Sequence, residues 1–469
     1  MMQTSAGQRR PTRWHWLGVV CGMHWLVGCA SLPMLVPDLA RPSMRAVSME
    51  DARGPLTAAR TRALLNTLEH RGPDTGIFDE HLGREQAITG SPLTVGNRVR
   101  LLQDGLATYQ AMLEAILDAR KHINLETYIL DDDDVGRRFA QALIDKRSQG
   151  VEVNLIRDSV GTWGTSAAFL QRLSDSGIRV LEFNPVNPLS VRKDWVVNRR
   201  DHRKLLIIDG HTAFLGGINI SSVYSSGSFS KGWQPRPAGT LAWRDTDLCL
   251  QGPVVAELQK LFLDTWRSQG GPALTRTDYL PPPQSPGHEV VRAIGSSPEE
   301  PFSQIYLTLL SAITSARRSV YVTNAYFVPD PQLLKTLEAA AGRGVDVRLI
   351  LPSQTDSWLV FHAGRSFYER LLTAGVKIFE RRGVLLHAKT VLIDGVWSTV
   401  GSTNLDWRSF VHNHELDAVV LGADFGLQLQ AVFAADLTAS DAITLEQWRR
   451  RPLEWRLKEG FSRIWAYWL

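Results

Sequence analysis

Short runs of apolar, often β-branched residues recur along the chain, separated by longer stretches whose apolar positions fall at helical spacing. After predicted helices over Leu56–Glu69 and Asp79–Ala87, folded structure is expected to begin near Gly96. The pattern then predicts a helix over Leu106–Arg120, a strand over Ile123–Leu130, a helix over Val135–Gln149 and a strand over Val151–Ile156. A helix ending near Gly177 and a strand over Ile178–Phe183 complete this series. The same order returns as helix Phe302–Arg318, strand Val320–Asn324, helix Pro331–Gly342 and strand Val345–Ile350. Junctions repeat too: Arg343-Gly344-Val345-Asp346-Val347 answers Gln149-Gly150-Val151-Glu152-Val153, and Ala374-Gly375-Val376-Lys377 answers Ser176-Gly177-Ile178-Arg179. Strands alternating with helices of this length imply an α/β fold, a mixed and largely parallel sheet with helices on both faces. One fold is written twice.

The flanking stretches differ in kind. Residues 30–55 are rich in Pro, Ser and Arg and read as a linker, and a Pro281-Pro282-Pro283 run reads as a connector between the halves. The expected organisation is 1–29 export segment, 30–90 linker and helices, 91–270 first half, 271–288 connector, 289–440 second half, and 441–469 a carboxyl-terminal segment. That last segment sets Trp455, Phe461, Trp465, Tyr467 and Trp468 among Arg456, Lys458 and Arg463. Such a mixture suits a membrane interface, or a helix docking its aromatics on the core.

Chemistry is repeated along with the pattern. Asp201-His202-Arg203-Lys204 opens an apolar run ending at Asp209-Gly210, and Leu386-His387-Ala388-Lys389 opens one ending at Asp394-Gly395. Both read His-x-Lys-x4-Asp, with the histidines 185 residues apart (387 − 202). Residues two apart on a strand share a face, so each imidazole projects beside an ammonium. Each copy is followed by an asparagine, Asn219 or Asn404, and then by an acid, Asp245 or Glu415. Cleaving a phosphodiester needs a nucleophile, a proton donor for the leaving alcohol and cations around the phosphoryl oxygens. Imidazole serves the first two roles near neutral pH, one ring forming a covalent phosphohistidine and the other exchanging the proton. Lys204, Lys389, Asn219 and Asn404 are candidates to hold the non-bridging oxygens. Asp245 and Glu415 are candidates to orient the imidazoles through the far ring nitrogen. His202, Lys204, Asp209, His387, Lys389 and Asp394, the two motifs entire, make up the candidate catalytic set. Within it the aspartates turn to the opposite strand face and are expected to hold turns or pair with backbone donors. Asp131–Asp134 precede a predicted helix and read as amino-terminal anions rather than a metal site. No zinc or calcium ligand spacing occurs, so neither metal nor cofactor is expected.

These paired motifs resemble those of the phospholipase D superfamily, in which two copies meet at one phosphodiester-cleaving site. Within it the chain is most similar to the bacterial cardiolipin synthases of phospholipase D type, over about residues 90–460. The likeness rests on Leu125-Glu126-Thr127-Tyr128, Glu182-Phe183-Asn184-Pro185, Gly216-Gly217-Ile218-Asn219, Trp243-Arg244-Asp245-Thr246-Asp247, Gly401-Ser402-Thr403-Asn404-Leu405-Asp406 and Trp448–Arg456. It implies duplicated domains with the active site at their interface, attack by the first-motif histidine, and two phosphatidylglycerols joined with release of glycerol. A pair of amino-terminal membrane helices, which some of these synthases carry, is not seen. Transfer to water, giving a lipid hydrolase or another phosphodiesterase, would use the same residues. A non-catalytic scaffold would be expected to have lost one motif, and both are intact.

Charge and the amino terminus narrow the setting. Formal net charge is +4, from 52 basic and 48 acidic residues. Arg9, Arg10 and Arg13 stand in a segment, 1–28, without acids; removing it leaves 49 basic residues against 48, or +1. A body so nearly neutral argues against a nucleic-acid partner. The three Cys offer no disulfide framework, Cys249 falling inside a predicted strand. The three arginines precede an apolar stretch and then Leu26-Val27-Gly28-Cys29, which resembles the lipobox of bacterial lipoproteins. That resemblance implies a lipidated Cys29 at the mature amino terminus, facing the periplasm. A plain transmembrane anchor over Trp14–Val36, which contains no Lys, Arg, Asp or Glu, is the alternative.

Overall fold

The computed structural model describes residues 45–186, 196–225, 241–274, 276 and 278–469. The export segment, Cys29 and the Trp14–Val36 anchor lie outside the described residues. Among the described residues no helix is long and apolar enough to cross a membrane.

The first half contains β1 (Leu93–Gln103), α1 (Asp104–Asp118), β2 (His122–Thr127), α2 (Asp134–Ser148), β3 (Glu152–Asp158), α3 (Ala167–Asp175) and β4 (Arg179–Phe183). It continues through β5 (Arg200–Asp201), β6 (Leu205–Ile208), β7 (Thr212–Gly216), β8 (Ala242–Arg244), β9 (Thr246–Gln251) and α4 (Val254–Ser268). The second half repeats this with β10 (Glu289–Ser296), α5 (Gln304–Ser315), β11 (Ser319–Asn324), α6 (Pro331–Gly342), β12 (Asp346–Pro352), α7 (Trp358–Arg365), α8 (Tyr368–Thr373) and β13 (Lys377–Arg381). Then come β14 (Val384–Leu386), β15 (Lys389–Ile393), β16 (Trp397–Gly401), α9 (Trp407–Val411), β17 (Asn413–Leu421), α10 (Ala423–Thr438), β18 (Ser440–Ile443), α11 (Leu445–Arg449) and α12 (Leu453–Arg463).

Local chemistry sets the helix starts. Asp133 accepts from the backbone of Val135 and Gly136 at 3.0 and 2.9 Å, so one member of the aspartate run caps α2. Asp330 caps α6 ahead of Pro331 in the same way.

Strand order in the first half is β4-β3-β2-β6-β7-β9-β1, and in the second β13-β12-β11-β15-β16-β17-β10. Parallel pairing within each series is confined to the three outer strands, where helices cross over. The remaining ladders are antiparallel, and short turns join β6 to β7 and β15 to β16. β1 pairs with β10 and so fuses the two sheets edge to edge. One apolar core runs across the join, with Leu205, Leu215, Val255 and Phe262 of the first half against Val291, Val400, Leu416 and Phe425 of the second.

Two segments expected to be loose are built in. Met49–Asp51 and Gly54–Pro55 form a hairpin whose Met49 is buried and pairs beside β1. In the connector, Tyr279 is buried against His122 and accepts from Asn154 Nδ2 at 3.2 Å. At the carboxyl end, β18 adds an antiparallel edge to β13, and α12 packs along α7.

Candidate active site

The two motif strands open where the halves exchange short parallel pairings. β5, leading into His202, lies beside Asn413–His414 of the second half, and β14, leading into His387, lies beside β8 of the first. The exchange continues one residue further. His202 N donates to His414 O at 2.9 Å, and His387 N donates to Arg244 O at 2.8 Å. Glu415 and Asp245 are the residues that follow those two carbonyls. Each therefore faces the histidine of the opposite half.

His202 Nδ1 lies 3.1 Å from both Glu415 oxygens, and His387 Nδ1 lies 2.7 Å from Asp245 Oδ2. Glu415 is itself held by Ser402 Oγ at 2.5 Å and Asn413 Nδ2 at 3.1 Å. Ser402 corresponds to Gly217 in the first half, where any Cβ would collide with the Asp245 carboxylate. The shorter acid thus stands over a glycine, and the longer acid takes a hydroxyl donor. Lys204 Nζ donates to His202 O at 2.5 Å, and Lys389 Nζ lies 3.0 Å from His387 Nδ1.

Burial governs the protonation states. It pushes His202 down to about 4, assisted by the ammoniums of Lys204 and Lys389 and opposed by Glu415. His387 falls further below its ordinary value, through burial and then the same two lysines. Burial also lowers Lys204 to about 7 and lowers Lys389. Asp245 is raised by burial to about 6. Burial acts the same way on Glu415, but His202 and Lys204 outweigh it and hold the carboxyl below its usual range. With Nδ1 of each ring committed to a carboxylate, Nε2 is the atom each imidazole can offer to phosphorus or to a leaving oxygen. Two such rings beside two ammoniums, shielded from water, suit a phosphodiester anion.

Aromatic rings line this space; Tyr128 and Trp243 stand in stretches that carry the family likeness, whereas Tyr224 and Tyr326 do not. Tyr128 stands edge-on to His202 with centroids 5.2 Å apart, and Lys204 Nζ lies 5.5 Å from its ring centre. Trp243, Tyr224 and Tyr326 surround His387 at 4.9, 5.7 and 6.1 Å. Trp243 lies two residues before Asp245, where the second copy has Asn413 before Glu415.

The remaining candidates divide. Asn219 has both ends of its amide engaged, Oδ1 accepting from Ile129 N at 3.0 Å and Nδ2 donating to Tyr224 Oη at 2.9 Å. Asn404 Oδ1 is buried and accepts no hydrogen bond from the described residues. The structure does not bring Asp209 and Asp394 into the site. Asp209 accepts from the backbone of Arg120, Lys121 and His122 at 2.7–2.9 Å, and Asp394 from Arg317, Arg318 and Ser319 at 2.8–3.0 Å. Both take a left-handed backbone, φ 53° and 52°, at the far end of the motif strand, about 15 Å of extended chain from the lysine.

A family model described as "Cardiolipin synthase, PLD-like domain" matches residues 112–227 and 309–437. A cardiolipin synthase of Geobacillus sp. strain WCH70 is 36% identical over 379 residues, covering 80% of this chain and 73% of that protein. Cardiolipin synthase 2 of Bacillus anthracis is 36% identical over 368 residues, covering 78% and 69%. Among solved structures, the phosphatidylserine synthase of Haemophilus influenzae Rd KW20 superposes with a TM-score of 0.61 at 14% identity, over 82% of this chain and 97% of that one. That last likeness concerns the fold.

Proposed function

The chain belongs to the phospholipase D-like family of cardiolipin synthases, and from that membership we propose that it transfers a phosphatidyl group between two phosphatidylglycerol molecules, releasing glycerol. The observation that carries this reading is the crossed pairing of His202 with Glu415 and His387 with Asp245, beside two buried ammoniums. His202 Nε2 attacks phosphorus, and the bond from phosphorus to the glycerol oxygen breaks. His387 gives that oxygen its proton. The phosphate is then held as a covalent phosphohistidine. His387 next takes the proton from a hydroxyl of the second phosphatidylglycerol, whose oxygen attacks phosphorus and frees His202. Burial and then the two lysines hold the pKa of His387 down; substrate phosphate offsets the lysines, which favours the imidazolium needed as acid once substrate has bound. Lys204 and Lys389 supply positive charge to the phosphoryl oxygens, and in this reading no divalent ion takes part. The Asn404 amide, with its carbonyl unengaged, is the better placed of the two asparagines to adjust to substrate.

The lipobox-like Leu26–Cys29, after three arginines and an apolar stretch, supports attachment to the bacterial cell envelope through a lipidated Cys29, facing the periplasm. Purified protein with phosphatidylglycerol vesicles and excess EDTA, read by mass spectrometry, tests the reaction. Cardiolipin and glycerol are expected; phosphatidic acid would make the chain a hydrolase, and loss of all product on chelation would refute the metal-free route. Intact mass of membrane-extracted protein, compared with Cys29→Ser, tests the anchor. A wild-type mass equal to the uncleaved chain would exclude lipidation.

A further inference from the structure

Exposed large apolar side chains follow β3 and β12, the equivalent strands of the two halves. In the first half, the turn after β3 carries Trp163, 74% exposed, beside exposed Val160. That turn is tied to the catalytic strand through one carboxylate. Asp158 accepts from Val160 N and Gly161 N at 2.8 and 2.9 Å and, with its other oxygen, from Asp201 N at 2.9 Å, next to His202. In the second half, the turn after the equivalent strand, β12, leads to exposed Trp358. There Asp356 accepts from Tyr326 Oη at 2.6 Å, and the Tyr326 ring faces His387.

α12 lies along α7, with Phe461 6.5 Å from Trp358, and presents an outer row spaced four residues apart: Leu453, Leu457 and Phe461, followed by Ile464 and Trp468. Leu457 and Ile464 are 66% and 74% exposed. The segment ends back at the site, where Tyr467 packs on Trp407 and His412 and Leu469 O accepts from Arg408 N. His412 O in turn accepts from Arg200 N, two residues before His202. Arg456 and Arg463 flank the row, exposed and without an ion pair among the described residues. An apolar row flanked by two exposed guanidiniums without an ion pair, Arg456 donating to Arg449 O and Arg463 lying over the Phe367 ring, matches the acyl boundary and anionic headgroups of a phospholipid surface. A tightly packed core would instead have buried these side chains.

We propose that Trp163 and Trp358, together with the outer row of α12, form an apolar rim that seats the site opening on an anionic phospholipid bilayer, so that lipid enters from the membrane without crossing water. The proposal rests on the reading of a phospholipid substrate. It adds to that reading the surface through which substrate arrives, distinct from the amino-terminal anchor.

The test uses the full chain in vesicles of phosphatidylglycerol and phosphatidylethanolamine. Turnover on the bilayer is compared with turnover of a short-chain phosphatidylglycerol dispersed as monomers. Leu457→Ser/Ile464→Ser, and separately Trp163→Ser, should keep monomer turnover within about twofold of wild type and lose tenfold or more on the bilayer. Lipids brominated in their acyl chains should quench part of the tryptophan fluorescence, and that part should shrink in Trp163→Phe and in Trp468→Phe. Unchanged bilayer turnover in both serine variants overturns the proposal, as does quenching that neither phenylalanine variant alters. A wild-type dimer by light scattering that becomes monomeric in Leu457→Ser/Ile464→Ser would assign the row to a second copy of the chain instead. Absence of wild-type turnover on either lipid would count against the reaction, and quenching would still decide the rim.

Discussion

Replacing Asp245 by Asn tests the crossed site most directly. Asp245 Oδ2 sits 2.7 Å from His387 Nδ1, buried from water, and Asn preserves its size while removing its charge. The substitution weakens a charge-assisted hydrogen bond worth about 1.5–3 kcal/mol, which corresponds to roughly 10- to 150-fold in rate. Glu415→Gln, made against His202, should cost a similar factor. The two lesions differ in the step they slow. A phosphatidyl donor whose leaving alcohol is p-nitrophenol departs without a proton, so it relieves the need for a general acid, a need worth about 10²–10⁴-fold. On that donor Asp245→Asn should recover to within about tenfold of wild type, as should His387→Asn. Glu415→Gln and His202→Asn should stay impaired. Release of p-nitrophenolate in a single-turnover burst measures all four. If Asp245→Asn groups with His202→Asn, the crossed pairing is refuted; if His202→Asn recovers, the roles of nucleophile and acid are reversed.

Other expectations follow from the same geometry. Lys204, lowered to about 7, loses its proton in free enzyme well before an ordinary lysine, while His202 at about 4 is already neutral above that pH. kcat/KM should therefore fall as pH rises through about 7, with the limb in kcat displaced upward by bound phosphate, and a flat profile from pH 6 to 9 would refute this. Asp394→Ala strips acceptors from three backbone amides and the Thr75 hydroxyl, and should cost about 3 kcal/mol by urea unfolding with kcat of the folded enzyme little changed. Burial and two nearby arginines hold His81 down to about 3, against Trp397. Its stabilising contribution is complete above pH 6.5 and is lost as pH falls towards 3, amounting to about 2 kcal/mol by pH 5. His81→Gln should flatten stability across that window, and an unchanged acid slope would show that another group governs it.

Much of the protein was legible in one dimension because its signals are local. Periodicity located β2, β3, α6 and their counterparts within a few residues, since a strand or helix declares its buried face in its own sequence. Repetition exposed the duplicated fold and picked out His202, Lys204, His387 and Lys389, because one chemistry needed twice leaves two copies. The odd step from lysine to aspartate turned Asp209 and Asp394 away from the site, and their carboxylates indeed meet backbone amides. Which acid serves which histidine could not be read this way. Aligning the repeats puts Asp245 in the half of His202, yet strand exchange at β5 and β14 gives it to His387. The engagement of Asn219 by Tyr224 and the burial of Tyr279 in a proline-rich connector were equally out of reach. Each depends on contacts between residues far apart in the chain, and pairing energies of that kind are decided by which surfaces the fold brings together.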